Sequence, residues 1–206
     1  MYARSTSLRG DPQRMDEAIA MVRDEIAPTI AEMDGCRGTS MLVGRSVGTA
    51  IVTSAWESHE AMRATADQVA PLRRRGAELL AASPQVREWE IAVVHREHAA
   101  PEEARASVTW TRGNPADADR NLQAFRDQVM PLLQELEGFC SVSLFINRDE
   151  GLGVTATVFR DRLAHENAKP WIQAIREGAL DRLSLELLDV AELEVAYAHL
   201  RVPETV

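Results

Sequence analysis

Apolar residues fall into two patterns that alternate along the chain. Met15, Ile19, Val22, Ile26 and Ile30 recur every three or four positions, the spacing that places them on one face of a helix. Leu122, Phe125, Val129 and Leu133 do the same in the second half. Short runs rich in β-branched residues flank these stretches and predict strands at Tyr2–Leu8, Thr39–Val43, Thr49–Trp56 and Glu90–His95. Four more are predicted at Ala106–Thr111, Ser141–Ile146, Val154–Phe159 and Glu194–His199. Longer helices are expected over about Ser58–Ala82 and about Leu163–Arg182. Asp11 and Asn114 can cap a helix, and Pro12 and Pro115 suit its first turn. Pro28 and Pro131 should kink the first helix of each half, and Gly35 and Gly138 should end it.

The two halves are copies. A shift of 103 residues lays Ala3–Trp56 on the second half without a gap, matching Arg9 to Arg112, Pro12 to Pro115, Pro28 to Pro131 and Gly35 to Gly138. Near the C-termini a shift of 104 fits better and brings His95 onto His199. The polar stretch His98–Ala104, with Pro101, reads as a linker between a first repeat, residues 1–97, and a second, residues 105–206. Each repeat runs strand, helix, strand, strand, helix, strand, the ferredoxin-like βαββαβ order. That order implies an α+β fold whose four-stranded sheet carries both helices on one face. The other face needs cover, and two such units in one chain can cover each other. The expectation is an intramolecular, pseudo-dimeric α/β barrel, self-contained, with further homodimerisation optional.

Composition narrows the partners. A net charge of −9 over 206 residues argues against a nucleic-acid backbone. No run approaches the roughly 18 apolar residues of a membrane span, and the N-terminus lacks a signal-peptide core, so the expected location is cytoplasmic. Two cysteines, Cys36 and Cys140, are too few for a disulfide framework. His59-Glu60 and His165-Glu166 each resemble the start of H-E-x-x-H. The second histidine is replaced by Arg63 and Lys169, so no metal site is expected.

Trp56-Glu57-Ser58 followed by Glu60-Ala61 resembles the W-E-S-x-E-A signature of antibiotic biosynthesis monooxygenase domains. The Pro28 to Gly35 stretch is similar to that family too, and Phe159-Arg160-Asp161 with Ala164 is a degenerate second copy. The resemblance covers both repeats and implies a tandem member of the dimeric α/β-barrel superfamily. Its members include cofactor-free quinone-forming monooxygenases and haem-degrading enzymes. The haem branch looks for a tryptophan and a histidine at positions held here by Thr65 and Arg74, and by Ala168 and Glu177. Haem degradation is therefore disfavoured.

The expected function is a cofactor-independent monooxygenase acting on an aromatic or polyketide-like small molecule. The alternative is a non-catalytic small-molecule-binding or stress-associated module, favoured by the lack of any paired acid–base motif. The first strand of a ferredoxin-like sheet is central, yet alternate positions hold Arg4, Thr6 and Leu8, or Ser107, Thr109 and Thr111. Polar groups there imply either hydrogen bonds across neighbouring strands or a ligand cavity. Arg4 is the candidate for holding an anionic oxygen and His165 the candidate base. Thr6, Trp56, Trp110 and Trp171 are candidate ligand contacts, although a tryptophan equally fills a core.

Overall fold

A computed structural model describes residues 1–205. The first repeat contains β1 (Tyr2–Arg9), α1 (Met15–Met21), α2 (Ala27–Ala31), β2 (Cys36–Gly44), β3 (Thr49–Trp56), α3 (His59–Ala64), α4 (Ala66–Leu79) and β4 (Gln85–Arg96). The second contains β5 (Arg105–Arg112), α5 (Ala118–Ala124), α6 (Met130–Gln134), β6 (Phe139–Asn147), β7 (Leu152–Phe159), α7 (Arg162–Leu183) and β8 (Glu186–Leu200). The strands hydrogen-bond in the order β1-β3-β2-β8-β5-β7-β6-β4 and close into an eight-stranded barrel. The α+β barrel class expected from the repeat is the class observed.

By packing, the chain forms two compact units. Unit 1 comprises Met1–Glu90 with Glu194–Val202; unit 2 comprises Ile91–Leu193 and the residues from Pro203 onward. In unit 1, β1 is central and antiparallel to both β3 and β4, with Arg4 opposite Ser54 and Glu88. The sheet ends on the last residues of β8, which pair with β2 so that Met41 faces Tyr197. In unit 2, β5 pairs with β7, with Ser107 opposite Thr157. Each unit has its own apolar core, one around Met15, Met41, Trp56 and Leu80, the other around Phe125, Val142, Phe159 and Ile172.

Both prolines expected to kink a helix follow a wider turn instead. The Ala27 N–H reaches back five residues to the Val22 carbonyl, and the Met130 N–H to the Phe125 carbonyl. A π-helical turn of this kind loosens the helix just where Pro28 and Pro131 lack an N–H to continue the usual ladder. Gly35 and Gly138 follow at φ of +75° and +79°. A Cβ there would come within 2.6 Å of the Ala61 Cβ and 2.5 Å of the Ala164 Cβ, so glycine and alanine are required together.

The boundaries differ most from the sequence expectation at three places. The helix expected over Ser58–Ala82 is broken at Thr65, because the Met62 carbonyl accepts from the Thr65 hydroxyl at 2.9 Å and from Arg4 Nη2 at 2.8 Å. β4 starts five residues earlier than expected, at Gln85, and β8 starts eight earlier, at Glu186. The early part of β4 is the part that pairs with β1, from Gln85 opposite Ser7 to Glu90 opposite Tyr2.

Candidate functional site

Each unit holds a cavity between its sheet and its helices. In unit 2 the cavity measures about 140 Å³ and in unit 1 about 50 Å³. The polar positions on the central strands face these spaces: Thr109 and Thr111 from β5, Arg4 and Thr6 from β1. Both explanations for polar residues there have an observation behind them: Arg4 and Thr111 also bond across to Glu88 and the Gly153 carbonyl on neighbouring strands, at 3.0 and 3.5 Å.

One exchange that bears on the difference in volume is at the position of Arg4 in the repeat. Arg4 is 4% exposed, and its Nη2 donates to both the Met62 carbonyl and Glu88 Oε1 (3.0 Å). Ser107 stands at the matching position of β5 and is too short to cross the space below the helices. Two smaller exchanges act in opposite directions: Met21 corresponds to the smaller Ala124, which also favours the larger unit 2 cavity, and Val22 to the larger Phe125, which opposes it.

The unit 2 cavity is mostly apolar, walled by Phe125, Val129, Leu144, Ile172, Ile175 and Leu183. Polar side chains on the wall include Thr109, Thr155, Asn121, Arg176 and Arg148, the last paired with Asp119 at 2.7 Å. The Asn121 amide donates weakly to the Leu183 carbonyl at 3.4 Å, and its Oδ1 is buried without a partner. Among the described residues, Arg176 has no ion pair or hydrogen bond. A guanidinium without a counter-charge beside an apolar space attracts an anion. No lining residue is a histidine, aspartate or glutamate.

Arg176 escaped the sequence reading, although a signal existed. The shift of 103 that aligns the repeats also carries Arg73 onto Arg176, and both interrupt an apolar helix stripe. That stripe is Val69, Leu72 and Leu80 in one repeat and Ile172, Ile175 and Leu183 in the other. A charge inside such a stripe points into a cavity or core rather than into solvent.

The residues singled out from sequence are dispersed. Arg4 and Thr6 line the unit 1 cavity, while His165 belongs to unit 2, so the two catalytic candidates do not share a unit. His165 is 3% exposed beside Phe159, with ring centroids 5.8 Å apart, and lines neither cavity. Burial pulls its pKa down, and the charges of Glu192 and Lys169 act in opposite directions, leaving a neutral imidazole. Its neighbour Glu166 and Glu192 both bind Lys169, at 2.8 and 2.6 Å. Trp56 is fully buried, its Nε1 donating to Ser54 Oγ at 3.0 Å. Trp110 is half-buried on β5, and Trp171 is 65% exposed on α7. None of the three tryptophans lines either cavity.

The signature residues hold the fold. Ser58 Oγ accepts from the Ala61 N–H at 3.0 Å and caps α3; Asp161 does the same for α7 through the Ala164 N–H at 2.8 Å. Ala61 and Ala164 then pack on Gly35 and Gly138. The motif thus fixes a strand-to-helix corner in both repeats and contributes no side chain to either cavity.

Comparison with known proteins agrees with this. No protein-family model matches the chain. The chain is 41% identical to "Uncharacterized protein Rv2557" of Mycobacterium tuberculosis (strain ATCC 25618 / H37Rv), covering 100% of this chain and 92% of that one. It is 43% identical to "Uncharacterized protein Rv2558" of the same strain, covering 100% and 88%. A protein of Lactobacillus acidophilus NCFM superposes with a TM-score of 0.69 at 12% identity, covering 97% and 96% of the two chains. An anthrone oxidase-like protein gives 0.66 at 13%, covering 99% and 95%. A Listeria monocytogenes 4b F2365 ferredoxin-fold protein related to antibiotic biosynthesis monooxygenases gives 0.53 at 6%, covering 94% of each chain. The chain therefore belongs to the family of Rv2557 and Rv2558 and carries, in one polypeptide, the barrel fold of the antibiotic biosynthesis monooxygenase-like proteins.

Proposed function

We propose that the protein is a cofactor-independent monooxygenase acting on a small hydroxylated aromatic in the unit 2 cavity. The observation that carries this proposal is Arg176, an unpaired cation on the wall of an apolar cavity. An apolar cavity of about 150 Å³ accepts benzene, so about 140 Å³ limits the enclosed part of the substrate to a single ring. A tricyclic anthrone requires α5 or α7 to move.

Oxygenation of this kind starts from the substrate anion, which is electron-rich enough to reduce dioxygen. Arg176 stabilises the phenolate or enolate oxygen, taking in unit 2 the role that the sequence suggested for Arg4. Asn121 Oδ1 accepts from a second substrate hydroxyl, which satisfies its own buried lone pair. The apolar walls keep water from the reacting carbon. Dioxygen is the oxidant: one of its atoms becomes the new quinone carbonyl and the other leaves as water with the two hydrogens lost by the substrate. No side chain on the wall is a base, so the cavity promotes ionisation by stabilising the anion, and His165 is given no step.

The same absence of a base supports the second reading, a module that binds such molecules without turning them over. Oxygen uptake separates the two. Hydroxyquinols and anthrones incubated aerobically with the protein should consume one dioxygen per quinone formed, and Arg176→Met should lower kcat/KM by about tenfold or more. Saturable binding without uptake for every compound would contradict catalysis and leave the binding module.

A further inference from the structure

We propose that the unit 1 cavity is a separate binding site for a short-chain carboxylate, held by Arg4 and Arg73. This goes beyond the function proposed for unit 2, in both the site and the class of ligand. Arg4 is 4% exposed, and its Nη1 is buried with no hydrogen-bond partner. Arg73 lines the same cavity from α4; its Nε is also buried without a partner, and no ion pair reaches it among the described residues. Thr6 and Ser54 add hydroxyls to the wall.

The charges here do not balance. Glu88 is the carboxylate that faces Arg4, at 3.0 Å, and it is shared with His59 at 3.4 Å and Arg63 at 3.8 Å. Burial tends to raise the Glu88 pKa, but the hydrogen bonds from Arg4 and His59 and the charges of Arg4 and Arg63 outweigh it. Glu88 is therefore ionised and heavily used. Burial, together with the charge of Arg4, makes the Arg73 guanidinium harder to keep protonated, and Glu88 only partly offsets this. Two guanidiniums lining one small space, in a chain of net charge −9, form a local positive site. An incoming carboxylate would accept from Arg4 Nη1 and Arg73 Nε, the two donors left over.

Size and lining choose the rest of the ligand. About 50 Å³ is a third of what benzene needs, which excludes an aromatic ring and, on the same scale, encloses little more than a carboxylate group, so any chain behind it must be short. Beyond the arginines and the Thr6 and Ser54 hydroxyls the walls are apolar, among them Leu8, Ile26, Ile30, Val69 and Leu72, which suit an alkyl tail better than the outer oxygens of phosphate.

Propanoate is the probe, followed by NMR of the arginine Nε–Hε signals, with sodium chloride at equal ionic strength as control. The signals of Arg4 and Arg73 should shift saturably with propanoate while that of Arg176 stays, and propanamide should bind about tenfold more weakly or less. In Arg73→Met, an exchange at an unpaired, half-exposed side chain, the Arg4 shift should vanish; in Arg176→Met it should persist. The proposal is overturned if wild type shows no shift beyond the chloride control. It is equally overturned if propanamide matches propanoate, if inorganic phosphate binds in place of propanoate, or if Arg73→Met leaves the Arg4 shift intact. None of these outcomes bears on the oxygenase assay, which depends on Arg176.

Discussion

Arg4 and Ser107 occupy the same place in the two repeats, and only the arginine crosses the space beneath the helices to reach Met62 and Glu88. One duplicated fold thereby carries two unlike cavities. Unit 1 is small and cationic; unit 2 is larger, apolar and faced by a single unpaired arginine.

Exchanging the two residues should exchange the properties. Arg4→Ser should open the unit 1 cavity and allow a second equivalent of a one-ring phenol to bind. It should also cost about 1–3 kcal/mol in urea unfolding, because buried hydrogen bonds are lost. Ser107→Arg should fill the unit 2 cavity and reduce phenol binding there. Unchanged stoichiometry in both variants would separate cavity volume from this position.

The corner that holds the signature motif should be intolerant of a single methyl group. Gly138→Ala combines a φ of +79° with a Cβ 2.5 Å from that of Ala164. A loss of about 2–4 kcal/mol is expected from strain and the close contact together. Gly178→Ala, where the nearest atom is 3.5 Å away at the end of Arg182, should be neutral or slightly stabilising. Equal unfolding midpoints for the two variants would contradict this account of the corner.

Much of the architecture was legible because the chain states it twice. The strand and helix order, the caps at Asp11 and Asn114 and the turn glycines all follow from the local pattern, and repetition made each one firmer. The break at Thr65 was not legible, since it depends on Arg4 donating to a carbonyl 58 residues away. The early half of β8, Glu186–Val190, lacks the alternation that marks a strand facing solvent on one side. The site was hardest. Tryptophans and histidines draw the eye, yet the cavity walls are made by threonines, Asn121 and an arginine hidden in an apolar stripe.

His165 makes a pH-dependent contribution with a definite sign. Burial lowers its pKa in the fold, so the unfolded chain binds this proton more readily. The stability involved is complete above the unfolded value of about 6.5 and is lost as pH falls from there to the lower folded value. Thermal unfolding of the wild type should therefore lose more between pH 7 and 5 than that of His165→Asn. Parallel curves would show that His165 is not buried as described.

The fragment Met1–Glu97 lacks Glu194–Leu200, which pair with β2 in unit 1. Its β2 edge would be bare, and an unpaired edge strand recruits another. Light scattering should show self-association or aggregation. A monodisperse monomer would contradict the assignment of those residues to unit 1.

The central claim is that Arg176 makes the unit 2 cavity a site for aromatic anions, and 4-nitrophenol tests it most directly, because its anion is coloured. Bound to the wild-type protein, the phenol should titrate at least about one pH unit below its value in free solution, since a cation in an apolar cavity favours the charged form. In Arg176→Met the shift should vanish or reverse, as the apolar walls alone favour the neutral phenol. A bound phenol that titrates at or above its free value in the wild type, or identically in the two proteins, would contradict the account.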